Sequence, residues 1–422
     1  MKILHIAEKI SGGGAESVFN ETIKSLNDAF PDKITNWVAC IGGTSSNANI
    51  SLDFGDSPKS KLGEVVSQIY SRKNYRLLTV FLANHHPDVI HVQMYGNLSS
   101  AILRALWHYK RRKPEVTIIH TAHTFEYACS HFAGYDYRKK KVCLDCAAST
   151  YKFRIFYRGC SRAGFMHSWG KGIGSLISNY YINKHLFDSI ITPSNFLQKI
   201  IEQRDKKLCN ISVLRNPLSN ELIDRSNNQL AQFGKSCITK EANIVYFGRF
   251  SAEKNIECLI KAFYIFQGQI EGARLLLIGN GDEKEGLMRL VEQLGLFDKV
   301  SFKPFLPQKD LYQVLSKGHI AVLPSKCLET ASLLVPEAAM NNLIPVVANH
   351  GGMKEMVEWI GAGRTFESNN EQDLAAVLYE IVNSYEEYSW KLLDATDKCK
   401  KLLNSKHYAD ELYQLYQTAL DK

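Results

Sequence analysis

Two glutamates, Glu329 and Glu337, stand eight positions apart in ETASLLVPEAAMNNLIPVV, among the most apolar stretches of the chain. Carboxylates are rarely fully buried without a partner, so this setting asks for cations or hydroxyl donors. Upstream, YFGRFSAEKN (246–255) supplies Arg249 and Lys254, five apart across a loop. At the carboxyl end of a strand such a pair can clamp a diphosphate, the arginine by its planar fork and the lysine as a point charge. A strand-end arginine is as often a plain surface residue, and a glutamate can instead cap a helix or lie on its face. Gly248 in the same loop, and Gly279 and Asn280 in GNGDE (279–283), stand where a ligand can pass close to the backbone.

Three other clusters carry chemistry. SGGGAES (11–17) follows the first apolar run and opens a helical pattern. Gly12, Gly13 and Gly14 let backbone N–H groups approach an anion or sugar at a helix N-terminus, or simply make a tight turn. A dinucleotide fingerprint would need its third glycine at Ser17, and no acidic residue ends the second apolar run, which disfavours NAD and FAD. HTAHTFEY (120–127) sets His120 and His123 at a strand end, with His91 ending the preceding strand. Each reads as a structural or a catalytic histidine; by position, His123 is the candidate. Cys129, Cys143, Cys146 and Cys160 form C-x13-C-x2-C-x13-C. Four thiolates at this spacing would close a tetrahedral structural zinc site, favoured by Lys139, Lys140 and Lys141 just before Cys143. Unpaired buried thiols, disulfides and redox sensing are the alternatives. The segment, about 125–165, has little apolar periodicity, and a core-poor insertion gains most from a metal staple.

Short apolar runs alternating with amphipathic segments must position these groups. KILHIA (2–7), NWVACI (36–41), DVIHV (88–92), VTIIHT (116–121), DSIIT (188–192) and NISVL (210–214) form one series. NIVYFG (243–248), ARLLLIG (273–279), KVSFK (299–303), HIAVLP (319–324) and IPVVA (344–348) form the second. Unbroken apolar strands between helices imply parallel sheets covered on both faces. The pattern predicts two doubly wound Rossmann-like α/β domains facing across a cleft: 1–220, 240–400, and a helix at 401–422 that can pack back on the first. The polar, turn-rich stretch 215–240 is the join. Such sheets bind ligands at the carboxyl ends of their strands.

With 45% apolar and 22% charged residues, the chain reads as globular. No run approaches the length of a bilayer span, and the N-terminus reads as a strand rather than a signal peptide. A cytoplasmic location is expected, where the ten cysteines stay reduced. Net charge is +8, but residues 99–207 hold 19 Lys/Arg against 7 Asp/Glu. A localised positive field suits an anionic partner, or is a solvated face. Aromatics interleave these cations in YDYRKKK and STYKFRIFYRGC, which suits the headgroups of an anionic membrane surface. No nucleic-acid module is recognisable.

Taken in order, the glycine loop, the strand-end histidine, the GR…EK loop, GNGD, the Glu-x7-Glu pair after LPS (323–325) and NHGGMKE resemble the retaining glycosyltransferases of family 4. The resemblance spans nearly the whole chain and implies the GT-B fold. The commonest form has Gly-Phe-Gly after the first glutamate; here stand Thr330, Ala331 and Ser332, closer to a branch with Glu-Asn-Ser-Pro-Leu. Comparable Cys-rich insertions occur in that branch. The resemblance implies a nucleotide-diphosphate sugar donor and a glycan or lipid-linked acceptor, in polysaccharide or O-antigen-type synthesis at the inner face of the cytoplasmic membrane. Arg249 and Lys254 would neutralise the leaving diphosphate, Glu329 would take donor-sugar hydroxyls and Glu337 the ribose hydroxyls. Gly248, Gly279, Asn280, Thr330, Ala331 and Ser332 would line the donor site, and His123 would position substrates. No catalytic cofactor is expected, in keeping with the absence of any Asp-x-Asp. A nucleotide-sugar epimerase of the same fold and a non-catalytic scaffold are the rival readings.

Overall fold

A computed structural model describes residues 1–10, 13–42, 47–55, 63, 66–67, 69–204, 209–229 and 241–421. The chain divides into two compact units, Met1–Pro217 with Ser405–Lys422, and Leu218–Asn404.

The first unit is built on β1 (Lys2–Lys9), β2 (Thr35–Ile41), β3 (Ile50–Asp53), β4 (Val89–Val92) and β5 (Thr117–Thr121). A small antiparallel hairpin follows, β6 (Tyr135–Asp136) with β7 (Lys141–Val142), then β8 (Ser189–Thr192) and β9 (Asn210–Val213). The main sheet runs β3-β2-β1-β4-β5-β8-β9, with parallel neighbours throughout. Its central strands are apolar along their whole length because helices cover both faces: all four residues of β4 and of β8 are buried. The last helix, Ser405–Leu420, belongs to this unit. Its Tyr408 hydroxyl lies 3.0 Å from Thr22 Oγ1 and its Tyr416 hydroxyl 2.7 Å from His91 Nδ1.

The second unit holds β10 (Asn243–Phe247), β11 (Arg274–Ile278), β12 (Val300–Lys303), β13 (Ile320–Leu323), β14 (Ile344–Ala348) and β15 (Arg364–Phe366). The parallel order is β12-β11-β10-β13-β14-β15. The chain winds outward from β10 to β12, then returns to the other side of β10 as β13. That reversal opens a crevice at the carboxyl ends of β10 and β13, the usual ligand site of such sheets. Phe250 and Phe263 are fully buried in the core beneath, each stabilising the unit by roughly 1.5–3 kcal/mol.

Candidate active site

The loops after β10 and β13 carry the groups singled out by type and spacing. Gly248 N–H donates to Ile278 O at 3.0 Å and Phe250 N–H to Asn280 O at 2.9 Å, so the GRF and GNG loops are stitched backbone to backbone. The approach demands glycine: at Gly279, φ is +147° and a Cβ would lie 1.9 Å from Gly248 O. The Asn280 side chain caps its own loop, accepting from Gly281 N–H at 3.0 Å.

Beyond Gly248 the chain forms one 3-10 turn, Ala252–Lys254, which turns Lys254 inward. Its Nζ donates to Glu329 Oε1 at 2.6 Å, and both side chains are more than four-fifths buried, 19% and 17% exposed. Ser325 Oγ donates to the same oxygen at 3.2 Å. The buried Ser332 hydroxyl lies beside this carboxylate and favours its charged form, while its Oγ has no hydrogen-bond partner of ordinary geometry. Burial works against both charges. The opposite charge outweighs it, so Glu329 titrates below the usual glutamate value and Lys254 above the usual lysine value. The backbone is fixed as well. Gly352 N–H donates to Glu329 O at 2.7 Å, and a Cβ at Gly352 would lie 2.4 Å from Thr330 O. This is the structural use of NHGG: it lets the helix Gly351–Ile360 start against the Glu329–Thr330 backbone. His350 Nε2 meets Ser325 O at 2.9 Å. Thr330 and Ala331 stay partly open beside it.

Arg249 and Lys254 do not share a partner. The Arg249 side chain is 63% exposed, with Glu253 Oε1 3.8 Å from Nη2. Tyr246 OH donates to Arg249 O at 2.8 Å, which fixes the backbone and leaves the guanidinium in solvent. Glu337 stands on the short helix Leu334–Met340, partly open. No described group donates to its carboxylate, and burial alone pushes it up to about 7.

In the first unit, His123 lies two residues past β5, 8% exposed, with Nε2 3.1 Å from Gln93 Oε1. Burial lowers its pKa to about 4, so the ring is neutral near pH 7. His91 is a structural histidine, satisfied at both nitrogens by Tyr416 OH and Thr121 Oγ1. His120 is buried against Tyr127 OH at 2.6 Å. Sequence reasoning passed over Glu126, although it stands in the same HTFEY run. It is buried, accepts from Thr124 Oγ1, lies 3.3 Å from His120 Nε2 and is pushed by burial up to about 7. Of the glycine loop, Gly12 lies outside the described residues. Gly13 caps the helix Gly14–Ala29, and Ser17 N–H donates to Gly13 O at 3.1 Å.

The four cysteines do converge, lining one cavity of about 20 Å³ together with His131. Yet among the described residues no three His, Cys, Asp or Glu side chains are grouped so as to hold a metal ion. The four sulfurs stand with His131 in a thiol–imidazole cluster. His131 hydrogen-bonds Cys129 and Cys160, raising its own pKa to about 10 and lowering Cys129 to about 7. The cations on these sulfurs are not Lys139, Lys140 and Lys141, which are exposed. Arg158 Nη1 takes that place, 3.5 Å from Cys143 Sγ. None of the nine described cysteines is in a disulfide.

The chain is similar in part to known glycosyltransferases. Residues 229–392 match the family model of glycosyl transferases group 1. The first 12 residues of that span, through Lys240, contain eleven outside the described structure, and the remainder is the β10–β15 unit with its Lys254–Glu329 pair. An uncharacterised glycosyltransferase of Bacillus subtilis is 30% identical over 169 residues, 39% of this chain and 43% of the relative. An amylovoran biosynthesis glycosyltransferase of Erwinia amylovora is 26% identical over 152 residues, 35% of this chain and 37% of the relative. The chain thus spans less than half the length of these curated relatives. Anabaena HepE, solved in complex with UDP, superposes with a TM-score of 0.68 at 16% identity, over 99% of this chain and 100% of that one. The fold is GT-B, with two Rossmann-like units.

Proposed function

We propose that this chain is a retaining glycosyltransferase that moves a hexosyl or N-acetylhexosaminyl group from a nucleotide-diphosphate sugar to a glycan or lipid-linked acceptor. The observation that carries the reading is the buried Lys254–Glu329 pair at the switch point of the second unit. A lysine kept charged at a strand end meets the negative charge that develops on a departing diphosphate. Preorganised charge of this kind is often the largest catalytic contribution. Arg249, on the same loop and largely in solvent, is free to close on the second phosphate. The Glu329 oxygen not engaged by Lys254 and Ser325 accepts from donor-sugar hydroxyls. Glu337, with no protein donor, takes the vicinal ribose diol on its two oxygens.

In the first unit, neutral His123, oriented by Gln93, positions the acceptor. The leaving phosphate serves as the base, as retention without a protein nucleophile requires. No cofactor enters the chemistry. Polysaccharide or O-antigen-type synthesis at the inner face of the cytoplasmic membrane fits a lipid-linked acceptor. The likeness to a polymer-biosynthesis glycosyltransferase supports it.

The test is nucleotide release from a panel of nucleotide sugars, UDP sugars first, with lipid-linked acceptors present or absent. Acceptor-dependent release with retained anomeric configuration is expected. Conversion of a donor without acceptor would instead make the chain an epimerase. A folded protein that turns over no donor would make it a scaffold.

A further inference from the structure

The second sheet is not covered alike along its width. Every residue of β13 and β14 is buried, as strands between two helix layers require. Toward the β12 edge the pattern alternates. Leu275 and Val300 are buried, Leu276 is half-buried, and Arg274, Ser301 and Lys303 are exposed. Leu276 pairs with Ser301 in register, and side chains two apart on a strand share a face. Arg274, Leu276, Ser301 and Lys303 therefore stand on one open face.

That face is the floor of a groove of about 700 Å³. The helix Gln308–Leu315 contributes the half-buried Val314 to its lining, and Lys317 follows that helix. Arg225, on the helix Asn220–Gln229, lines it as well. Four cations thus meet one cavity, and no Asp or Glu among the described residues lines it. These cations are poorly compensated. Neither the Lys303 nor the Lys317 ammonium has a hydrogen bond or an ion pair among the described residues. Arg225 Nη1 donates to Lys309 O at 3.5 Å, and its buried Nε has no hydrogen-bond partner. Arg274 Nη1 donates to the Asp298 carbonyl and so gains no opposite charge. The groove differs from the crevice of the Lys254–Glu329 pair. It runs over the face of the sheet and takes in Asn243 and Arg274, the first residues of β10 and β11, whereas that pair stands past the carboxyl ends of β10 and β13.

We infer that this groove binds a small phosphomonoester, its phosphate held by Arg274, Lys303 and Lys317 and its body laid on Leu276 and Val314. Size and charge choose this occupant. Small-molecule sites run to roughly 300–1,000 Å³. A phosphate dianion offers its oxygens to several cations at once, and arginine matches two of them with its planar fork. A carboxylate carries one charge and would leave the other cations unmet. The half-buried leucine and valine favour a ligand with an apolar or ring-shaped body, whose burial adds about 25 cal/mol per Å² of apolar surface.

The inference does not depend on the enzymatic reading, because its readout is binding alone. Phenyl phosphate is titrated calorimetrically into the full chain, with phenol and inorganic phosphate as separate arms. The variant is Lys303→Gln with Lys317→Gln, both at exposed positions, with near-ultraviolet circular dichroism to confirm that the unit is folded. Salt-sensitive binding of phenyl phosphate is expected, with inorganic phosphate weaker and phenol unbound. Affinity should fall at least about tenfold in the double variant and stay unchanged in Arg249→Ala. Absence of binding by the wild type, or equal binding by the folded double variant, overturns the inference. Loss of binding in Arg249→Ala would put the anion in the donor crevice and overturns it too. So does concentration-dependent dimerisation that the double variant abolishes while neither protein binds phenyl phosphate.

Discussion

Replacing Lys254 with methionine tests the site where stability and chemistry meet. The methionine keeps most of the aliphatic stem but removes the charge 2.6 Å from Glu329 Oε1. Both partners are more than four-fifths buried, and breaking such a pair by removing one member costs about 3–5 kcal/mol, chiefly the penalty of the stranded charge. The wild-type Glu329 pKa is depressed. Its contribution is therefore present above the unfolded carboxylate value and lost as pH falls through the folded one. In Lys254→Met the sign reverses. Burial then raises the Glu329 pKa, the cost is greatest near neutrality, and it is relieved on acidification. The stability gap between wild type and variant should narrow as pH falls from neutrality to about 4.5, as the variant's Glu329 takes up its proton, and narrow further below that as the wild-type pair loses its contribution. Adding Glu329→Gln removes the stranded charge and should restore much of the lost stability. It should not restore transfer, which falls by roughly two orders of magnitude in both the single and the double variant. Amide hydrogen exchange of Asn243–Phe247 in the full chain reports the stability of this unit, and nucleotide release reports the chemistry. Equal exchange in wild type and Lys254→Met, or no recovery in the double variant, refutes the reasoning.

Three further outcomes are expected. Arg249→Ala should change stability by no more than about 0.5 kcal/mol, because the side chain is 63% exposed. It should nonetheless lower turnover by roughly two orders of magnitude, a split read by comparing thermal melts with nucleotide release. Gly279→Ala places a methyl group 1.9 Å from Gly248 O at a φ of +147°. It should cost at least about 3 kcal/mol by urea unfolding. Glu337 is held up to about 7 by burial, so its stabilising contribution is complete below the unfolded carboxylate value and lost as pH rises through about 7, by up to about 3 kcal/mol. Ribose hydroxyls need the charged form as acceptor. Nucleotide affinity should therefore weaken as pH falls below about 7, and Glu337→Gln should flatten that dependence in calorimetric titrations.

Much of this architecture was legible in the sequence because parallel strands buried on both faces are nearly pure apolar runs. KILHIA became β1, NIVYFG became β10 and HIAVLP became β13 with little change of boundary. The strands passed over are the short edge or hairpin ones. ISLD at β3 and RTF at β15 need only one apolar neighbour each, so their composition does not stand out from a loop. The glutamates, Lys254 and the glycines could be named from spacing because each sits at a strand end that the pattern already located. Which of the two cations meets Glu329 was not legible. That depends on the single 3-10 turn that carries Lys254 inward while Arg249 stays in solvent. The cysteine spacing suggested a closed metal site. His131, inside the first of the motif's two 13-residue gaps, was overlooked because a lone histidine in a loop carries no periodic signal, and it is the residue that ties Cys129 to Cys160.

The most direct measurement is a calorimetric titration of UDP into the wild-type protein, Arg249→Ala and Lys254→Met under the same buffer and salt. A diphosphate held by both cations predicts binding to the wild type and a loss of about tenfold to a hundredfold in each variant. Undiminished affinity in both variants would contradict it.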